Sequence, residues 1–238
     1  MKPDFGAAAS DYSTHRAGFP ASFFARLRNA GIGLDRQRIA DVGTGTGTLA
    51  RGFAAAGCRI VGIDASEAMI AEARRLADAS GLRAEFHVGR AEATGLADDS
   101  RDIVAAGQCW HWFDRPAAAR EATHILTKAG RLVIAHFDWI PLPGNVVEAT
   151  EQLIEAHNPA WKLGGGNGLY PLWLRELAEV GYHDIETWSY DEDVPYSPDA
   201  WRGRVRASAG VGASLPPERV AAFDRDLAVL LAERFPGP

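Results

Sequence analysis

The chain has 238 residues, 25 basic and 31 acidic side chains, a formal net charge of −6 and an apolar share of 47%. A chain of this length can bury a core without disulfides or a structural metal, and its acidic balance argues against nucleic acid or an anionic membrane as the main partner. The two cysteines, Cys58 and Cys109, lack the spacing of a zinc site or a disulfide scaffold, so we expect buried thiols and no metal. We find neither a signal peptide nor a membrane-spanning run, which predicts a cytoplasmic protein.

Short apolar runs alternate with longer amphipathic runs over residues 38–137. The predicted strands are 38–42, 59–64, 84–88, 102–106 and 132–135. The predicted helices are 46–56, 66–79 and 116–130. Because strand and helix alternate, the pattern predicts an α/β fold, with a Rossmann-like, doubly wound, mainly parallel sheet that has helices on both faces.

The pattern changes after Asp138. Helices are predicted over 145–157 and 172–180, and an amphipathic helix follows Pro216. The glycine-rich stretch 164–168 is either a mobile lid or a plain surface loop, and 184–188 is a candidate sixth strand. We find no convincing seventh strand, and we predict a helical cap or lid insertion after the fifth.

We therefore expect a single domain over 1–238. Its predicted parts are an N-terminal flap and helix (1–30), a cofactor-binding core (38–138), a lid or cap insertion (139–182), and a sheet edge with C-terminal helices (183–238).

The strongest motif is Asp-Val-Gly-Thr-Gly-Thr-Gly-Thr, residues 41–48, between the first strand and the following helix. Glycines there permit a sharp turn and the close approach of a ligand, and the helix start supplies free N–H groups. In the dinucleotide pattern G-x-G-x-x-G the third glycine would fall at Thr48. The acid ahead of the turn, Asp41, suits a ligand with an ammonium group better than one with a pyrophosphate.

Asp64 ends the second strand. A carboxylate at that position can accept hydrogen bonds from both hydroxyls of a ribose, a requirement that nicotinamide and adenosine ligands share. The alternative is an aspartate that caps the helix beginning near Ser66. Asp64 therefore indicates a nucleoside ligand without choosing between the two kinds.

Together these motifs resemble those of class I S-adenosylmethionine-dependent methyltransferases. The matching stretches are 41–47, 62–64, the adenine-contacting turn 89–92, and the strand 102–108 whose end faces the methyl group. Residues 12–20 and the Trp-His-Trp-Phe-Asp run 110–114 resemble the branch that includes trans-aconitate methyltransferases. The resemblance covers roughly residues 12–139.

The resemblance implies S-adenosyl-L-methionine as cofactor and a methyl transfer to a small molecule, preferentially at a carboxylate or hydroxyl oxygen. Asp41 would hold the amino group, Asp64 the ribose hydroxyls, and Ala91 with Glu92 the adenine. Arg90 stands where many relatives have an aspartate. The implied cofactor set is Tyr12, Arg16, Asp41, Gly43, Thr44, Gly45, Gly47, Asp64, Ala65, Met69, Ala91, Glu92 and Gln108.

His111 and His136 follow the fourth and fifth strands at the ligand-binding edge, and either is a candidate general base or a positioning group. A base is needed only where the acceptor must lose a proton. Several aromatic side chains are expected near the same edge, where they either line a pocket for a planar substrate or belong to the core. These are Trp110, Trp112, Trp139, Trp161 and Tyr170.

Two other classes remain as alternatives: an NAD(P)-binding oxidoreductase, and a non-catalytic module that binds S-adenosylmethionine. The glycine spacing disfavours the first, whereas intact motifs do not prove turnover against the second. We expect a small-molecule substrate and neither nucleic acid nor a membrane as partner. The oligomeric state is left open.

Overall fold

The computed structural model describes residues 18–236. Its strands are β1 (Arg38–Val42), β2 (Arg59–Asp64), β3 (Glu85–Val88), β4 (Arg101–Gly107) and β5 (Leu126–Ala135). Its helices are α1 (Ala21–Asn29), α2 (Thr48–Ala55), α3 (Glu67–Ala79), α4 (Arg115–Ile125), α5 (Val146–His157), α6 (Pro171–Val180), α7 (Pro198–Arg206) and α8 (Pro217–Arg234), with a 3₁₀ turn at Trp110–Trp112. No helix within residues 18–236 is long and apolar enough to cross a bilayer.

The five strands form one parallel sheet in the order β3-β2-β1-β4-β5. From β1 the chain builds outward through β2 and β3, then crosses to the other side of β1 for β4 and β5. The direction of winding therefore reverses beside β1, and in such sheets a crevice opens there at the carboxyl ends of the strands. This arrangement confirms the predicted Rossmann-like fold.

Side chains of β1 alternate between two apolar layers, one on each face of the sheet. Ile39 packs in the layer that contains Phe53 of α2 and Ile70 of α3. Ala40 packs in the opposite layer with Ile125 of α4. All of these side chains are at most 1% exposed, so the strand is covered on both faces as a parallel sheet requires.

Contacts within the chain cluster into two compact units. The sheet unit comprises residues 18–137 and 170–189, and therefore holds β1–β5, α1–α4 and α6. The helical unit comprises, among the described residues, 138–169 and 190–236. It packs α5, α7 and α8 around the buried side chains of Ile154, Trp201 and Phe223.

Two predicted elements are corrected. Residues 184–188 are not a strand, because Asp184 has a left-handed backbone (φ 53°) and Trp188 packs against the ring of Phe23 instead of entering the sheet. The helix predicted over 116–130 ends at Ile125. The chain then becomes extended, and β5 begins at Leu126, which pairs with Arg101 of β4.

Candidate functional site

The glycine motif forms a tight loop at the carboxyl end of β1. Gly43, Gly45 and Gly47 have φ of 66°, 55° and 79°, a left-handed conformation that favours glycine. The N–H of Gly47 donates to the carbonyl of Thr44 at 2.8 Å, and the N–H of Thr44 donates to the carbonyl of Ile63 in β2 at 2.9 Å. The loop is therefore closed on itself and fixed to the neighbouring strand.

The glycines serve different purposes. A Cβ on Gly43 would lie 2.8 Å from Cys109 Sγ and from the ring of Phe113, so the protein's own packing requires a glycine there. A Cβ on Gly45 would have no atom within 4 Å. Gly45 thus lies beside open space, where a ligand can approach the backbone.

Asp41 is buried beneath this loop, with its side chain 1% exposed. Its Oδ2 accepts hydrogen bonds from the hydroxyl of Thr44 at 2.6 Å and from the N–H of Ala50 at 3.1 Å. Its Oδ1 is buried and has no hydrogen-bond partner among the described residues. Burial raises the pKa of Asp41 to about 7, an effect that the two hydrogen bonds oppose and the charge of Asp64 increases.

Asp64 faces the same loop from the end of β2. Its Oδ2 accepts the N–H of Gly45 and its Oδ1 accepts the N–H of Ser66, both at 2.9 Å. Each carboxylate oxygen has two lone pairs, so one on each remains for a ligand hydroxyl. Ser66, and not Asp64, caps α3: its Oγ accepts a hydrogen bond from the N–H of Met69.

The predicted adenine turn is partly occupied by contacts within the protein. Ala91 is buried. Glu92 accepts a hydrogen bond from the N–H of Asp114 at 3.0 Å and one from Arg90 at 3.3 Å. Glu92 therefore ties this turn to the start of α4, and its contact with adenine stays a prediction.

Gln108 holds the carboxyl end of β4 against that of β5. Its N–H donates to the carbonyl of Ala135 at 2.9 Å, and its side-chain amide donates to the carbonyl of Phe137. Its φ is 63°, a conformation that costs free energy outside glycine and is often found at functional sites. The predicted contact of Gln108 with the cofactor is not tested by this geometry.

The two candidate bases come together at the same edge. The rings of His111, in the 3₁₀ turn, and His136, after β5, have centroids 5.4 Å apart. His136 also lies against Tyr170 at 4.7 Å and Trp173 at 5.1 Å, and Trp112 lies 4.4 Å from His111. An array of aromatic rings therefore follows the ends of β4 and β5.

The predicted aromatic cluster divides. Trp110 is 1% exposed and belongs to the core beside Phe113, so the packing interpretation holds for it. Trp139 and Trp161 pack within the helical unit. Trp173 was not among the predicted aromatic residues, yet its ring stacks on that of Tyr170 in the sheet unit. Nothing in the helical pattern of 172–180 distinguishes it from an ordinary packing residue.

Not every predicted site residue can be placed. Tyr12 and Arg16 lie outside the described residues. Ala65 follows Asp64 directly, and Met69 is buried on α3. Among residues 18–236 no group of three or more His, Cys, Asp or Glu side chains is placed to hold a metal ion.

The geometry fits a nucleoside that also carries an ammonium group. The unpartnered Oδ1 of Asp41 is an acceptor beneath the loop, Asp64 is a second carboxylate that holds the loop at Gly45, and open space lies beside Gly45. A pyrophosphate would meet two acidic side chains here, which electrostatics disfavour.

Comparison with known proteins indicates a methyltransferase. Residues 40–134 match the family described as "Methyltransferase domain". The chain is 29% identical to the malonyl-[acyl-carrier protein] O-methyltransferase of Brevibacillus brevis over 80% of this chain and 70% of that protein. It is 36% identical to the demethylmenaquinone methyltransferase of Thermus thermophilus over 50% of this chain and 56% of that one. The chain thus spans little more than half the length of the latter relative.

Solved structures agree on the fold. The YcgJ protein of Bacillus subtilis has a TM-score of 0.55 and 24% identity, covering 85% of this chain and 81% of that one. A proposed S-adenosyl-L-methionine-dependent methyltransferase of Methanococcus maripaludis has a TM-score of 0.59 and 21% identity, covering 76% and 84%. Residues 40–134 are therefore similar to a methyltransferase domain, and the relatives named above support an S-adenosyl-L-methionine-dependent methyltransferase as the class of this protein.

Proposed function

We propose that this protein transfers the methyl group of S-adenosyl-L-methionine to a carboxylate or hydroxyl oxygen of a small molecule. The observation that carries the proposal is the pair of carboxylates at the glycine loop: Asp41 is buried beneath it with an unpartnered oxygen, and Asp64 bonds to Gly45. In this proposal Asp41 accepts the amino group of the cofactor and Asp64 accepts the two ribose hydroxyls. The cofactor supplies a methyl group already activated by a positively charged sulfur.

An oxygen acceptor is favoured by the groups at the ends of β4 and β5. Methyl transfer needs alignment and exclusion of water more than it needs acid or base chemistry. A hydroxyl acceptor must also lose its proton. The imidazoles of His111 and His136, 5.4 Å apart at this edge, are the candidate bases. A carboxylate acceptor needs no base, and the imidazoles then orient it by hydrogen bonds.

Three further observations support a small oxygen acceptor. The Brevibacillus brevis relative is named an O-methyltransferase, and the motifs at 12–20 and 110–114 resemble the trans-aconitate branch. Aromatic rings beside the imidazoles also suit an acceptor with a planar or apolar part. The acceptor assay below distinguishes a carboxylate from a hydroxyl.

The test is release of S-adenosylhomocysteine from S-adenosylmethionine in the presence of matched acceptors. Carboxylic acids, phenols or alcohols, and amines of the same carbon skeleton are offered separately, with a methyl-labelled cofactor. We expect label on an oxygen of the carboxylate or hydroxyl set. Label on the amines alone would contradict the proposal, and tight cofactor binding without transfer to any set would favour the non-catalytic alternative.

A further inference from the structure

Tyr170 and His136 contact each other in the sheet unit, although 34 positions separate them in the sequence. The phenol oxygen of Tyr170 lies 3.4 Å from Nδ1 of His136, and the two ring centroids are 4.7 Å apart. His136 directly follows β5, and Tyr170 directly precedes α6. The contact therefore joins the ends of two elements beside the candidate base His111.

A second ring fixes the position of the phenol. Tyr170 stacks on Trp173 with centroids 4.0 Å apart and an angle of 7° between the ring planes. Trp173 lies in the first turn of α6 and is itself 5.1 Å from His136. Because aromatic stacking restricts both rings, the hydroxyl of Tyr170 is held beside Nδ1 of the imidazole.

A phenol can donate a hydrogen bond or accept one, and a neutral imidazole has one acceptor nitrogen and one donor nitrogen. Where Tyr170 Oη–H donates to Nδ1 of His136, the imidazole proton lies on Nε2. Nε2 is a buried atom, so neither ring nitrogen of His136 faces solvent as a free base.

We propose that Tyr170 is a positioning residue that fixes His136 in the Nε2–H tautomer. The braced ring of His136 in turn orients His111, 5.4 Å away, and the proton of a hydroxyl acceptor goes to His111. The role of His111 rests on the proposed function. The hydrogen bond between Tyr170 and His136 does not, because it is present in the protein without substrate.

The experiment is nitrogen NMR of the whole chain with ¹⁵N-labelled histidine at pH 8, without cofactor or acceptor. The His136 signals are assigned by their loss in His136→Gln, among seven histidines. We expect an unprotonated Nδ1 whose resonance is displaced from that of a free imidazole nitrogen by the hydrogen bond. Tyr170→Phe should return it toward the free value and also move the ring signals of His111.

Tyr182→Phe is the matched control, since its hydroxyl donates to the carbonyl of Ala119 at 3.1 Å instead of to a histidine. It should leave both histidines unchanged. A protonated Nδ1 in the unmodified protein, or a His136 spectrum that Tyr170→Phe does not alter, would overturn the proposal. The protonation of Nδ1 is read from the unmodified protein, so that outcome stands even if Tyr170→Phe fails to fold. Absence of methyl transfer would leave the spectrum readable, so the two proposals fail separately.

Discussion

The carboxylate of Asp64 accepts a hydrogen bond from the backbone N–H of Gly45 at 2.9 Å, across the 19 positions that separate them in the sequence. This bond fixes the glycine loop of β1 to the end of β2. It uses one lone pair of Oδ2 and leaves the other for a ligand hydroxyl. The two features that predicted a nucleoside site are therefore one hydrogen-bonded unit.

Replacing Asp64 tests that unit. Asp64→Asn removes the negative charge and one acceptor oxygen, and we expect affinity for S-adenosylmethionine to fall about 10- to 100-fold, as charge-assisted hydrogen bonds contribute roughly 1.5–3 kcal/mol. Calorimetric titration measures the loss. Asp78→Asn, at an exposed position of α3, is the control and should bind as the unmodified protein does. Equal affinities for both variants would remove Asp64 from the cofactor site.

Two glycines separate ligand approach from backbone strain. Gly45 and Gly81 both have left-handed φ, of 55° and 63°, and a Cβ on either would meet no atom within 4 Å. Gly45→Ala and Gly81→Ala should each cost about 1 kcal/mol of folding free energy. Only Gly45→Ala should weaken cofactor binding, by tenfold or more, because only its Cβ points into the space that we propose for the cofactor. Urea unfolding and cofactor titration check the two effects, and normal binding by Gly45→Ala would be inconsistent with this placement.

Asp41 makes stability and cofactor binding depend on pH. Its folded-state pKa, about 7, lies above the unfolded value near 3.8, so the folded protein retains a proton that the unfolded chain releases. This contribution to stability is complete below about pH 4 and is lost as the pH rises through 7. That loss is about 1.4 kcal/mol per pH unit between pH 4 and pH 7, and Asp41→Asn should abolish it and stabilise the cofactor-free protein at pH 8. Urea unfolding at pH 5 and pH 8 measures it.

The same substitution should weaken S-adenosylmethionine binding at pH 8, since an amide lacks the charge that attracts the amino group. In the unmodified protein, affinity should rise between pH 6 and pH 8 as Asp41 ionises. A variant that is stabilised yet binds the cofactor unchanged would show that Asp41 does not contact the amino group.

His111 is testable through the kind of acceptor. His111→Gln should lower kcat for a hydroxyl acceptor by about 10²- to 10⁴-fold, the range for loss of a positioned base. A carboxylate acceptor is already ionised, and its kcat should change far less. The measurement is methyl transfer to a matched hydroxyl and carboxylate pair. An equal loss with both would indicate a positioning role for His111 instead.

An ion pair braces α4 against α6 near the imidazoles. Arg115 makes two hydrogen bonds to Glu176, at 2.6 and 2.7 Å, which hold the pKa of Glu176 below its usual value. Glu176→Gln should cost about 1 kcal/mol above pH 5, and the difference should vanish as the pH falls through the lowered pKa of Glu176. Glu179→Gln breaks the exposed 3.6 Å pair with Arg175 and should cost almost nothing. Urea unfolding from pH 3 to pH 7 compares them.

The cofactor-binding half of the fold was predictable because its local patterns and its packing agree. β1 and β2 have the predicted bounds, and Ser66 caps α3, the helix that follows β2. The start of β5 was not predictable. Residues 126–130 lack a strong strand pattern; among them only Leu126 pairs with β4, and a register shift separates it from the regular pairing that begins at Arg131.

The site divides in the same way. Asp41 and Asp64 were recognisable from the sequence, because Asp41 lies just ahead of the glycine loop and Asp64 ends the following strand. The contact between His136 and Tyr170 was not, because it depends on where α6 packs and no local pattern encodes a separation of 34 residues. Residues 184–188 show the opposite case. Their own sequence predicted a strand, but none of the described strands pairs with them.

The central claim is tested most directly by calorimetric titration of the unmodified protein with S-adenosylmethionine at pH 8, in parallel with NAD. We predict saturable binding of S-adenosylmethionine at one molecule per chain and no saturable binding of NAD. Saturable binding of NAD with none of S-adenosylmethionine would contradict the account.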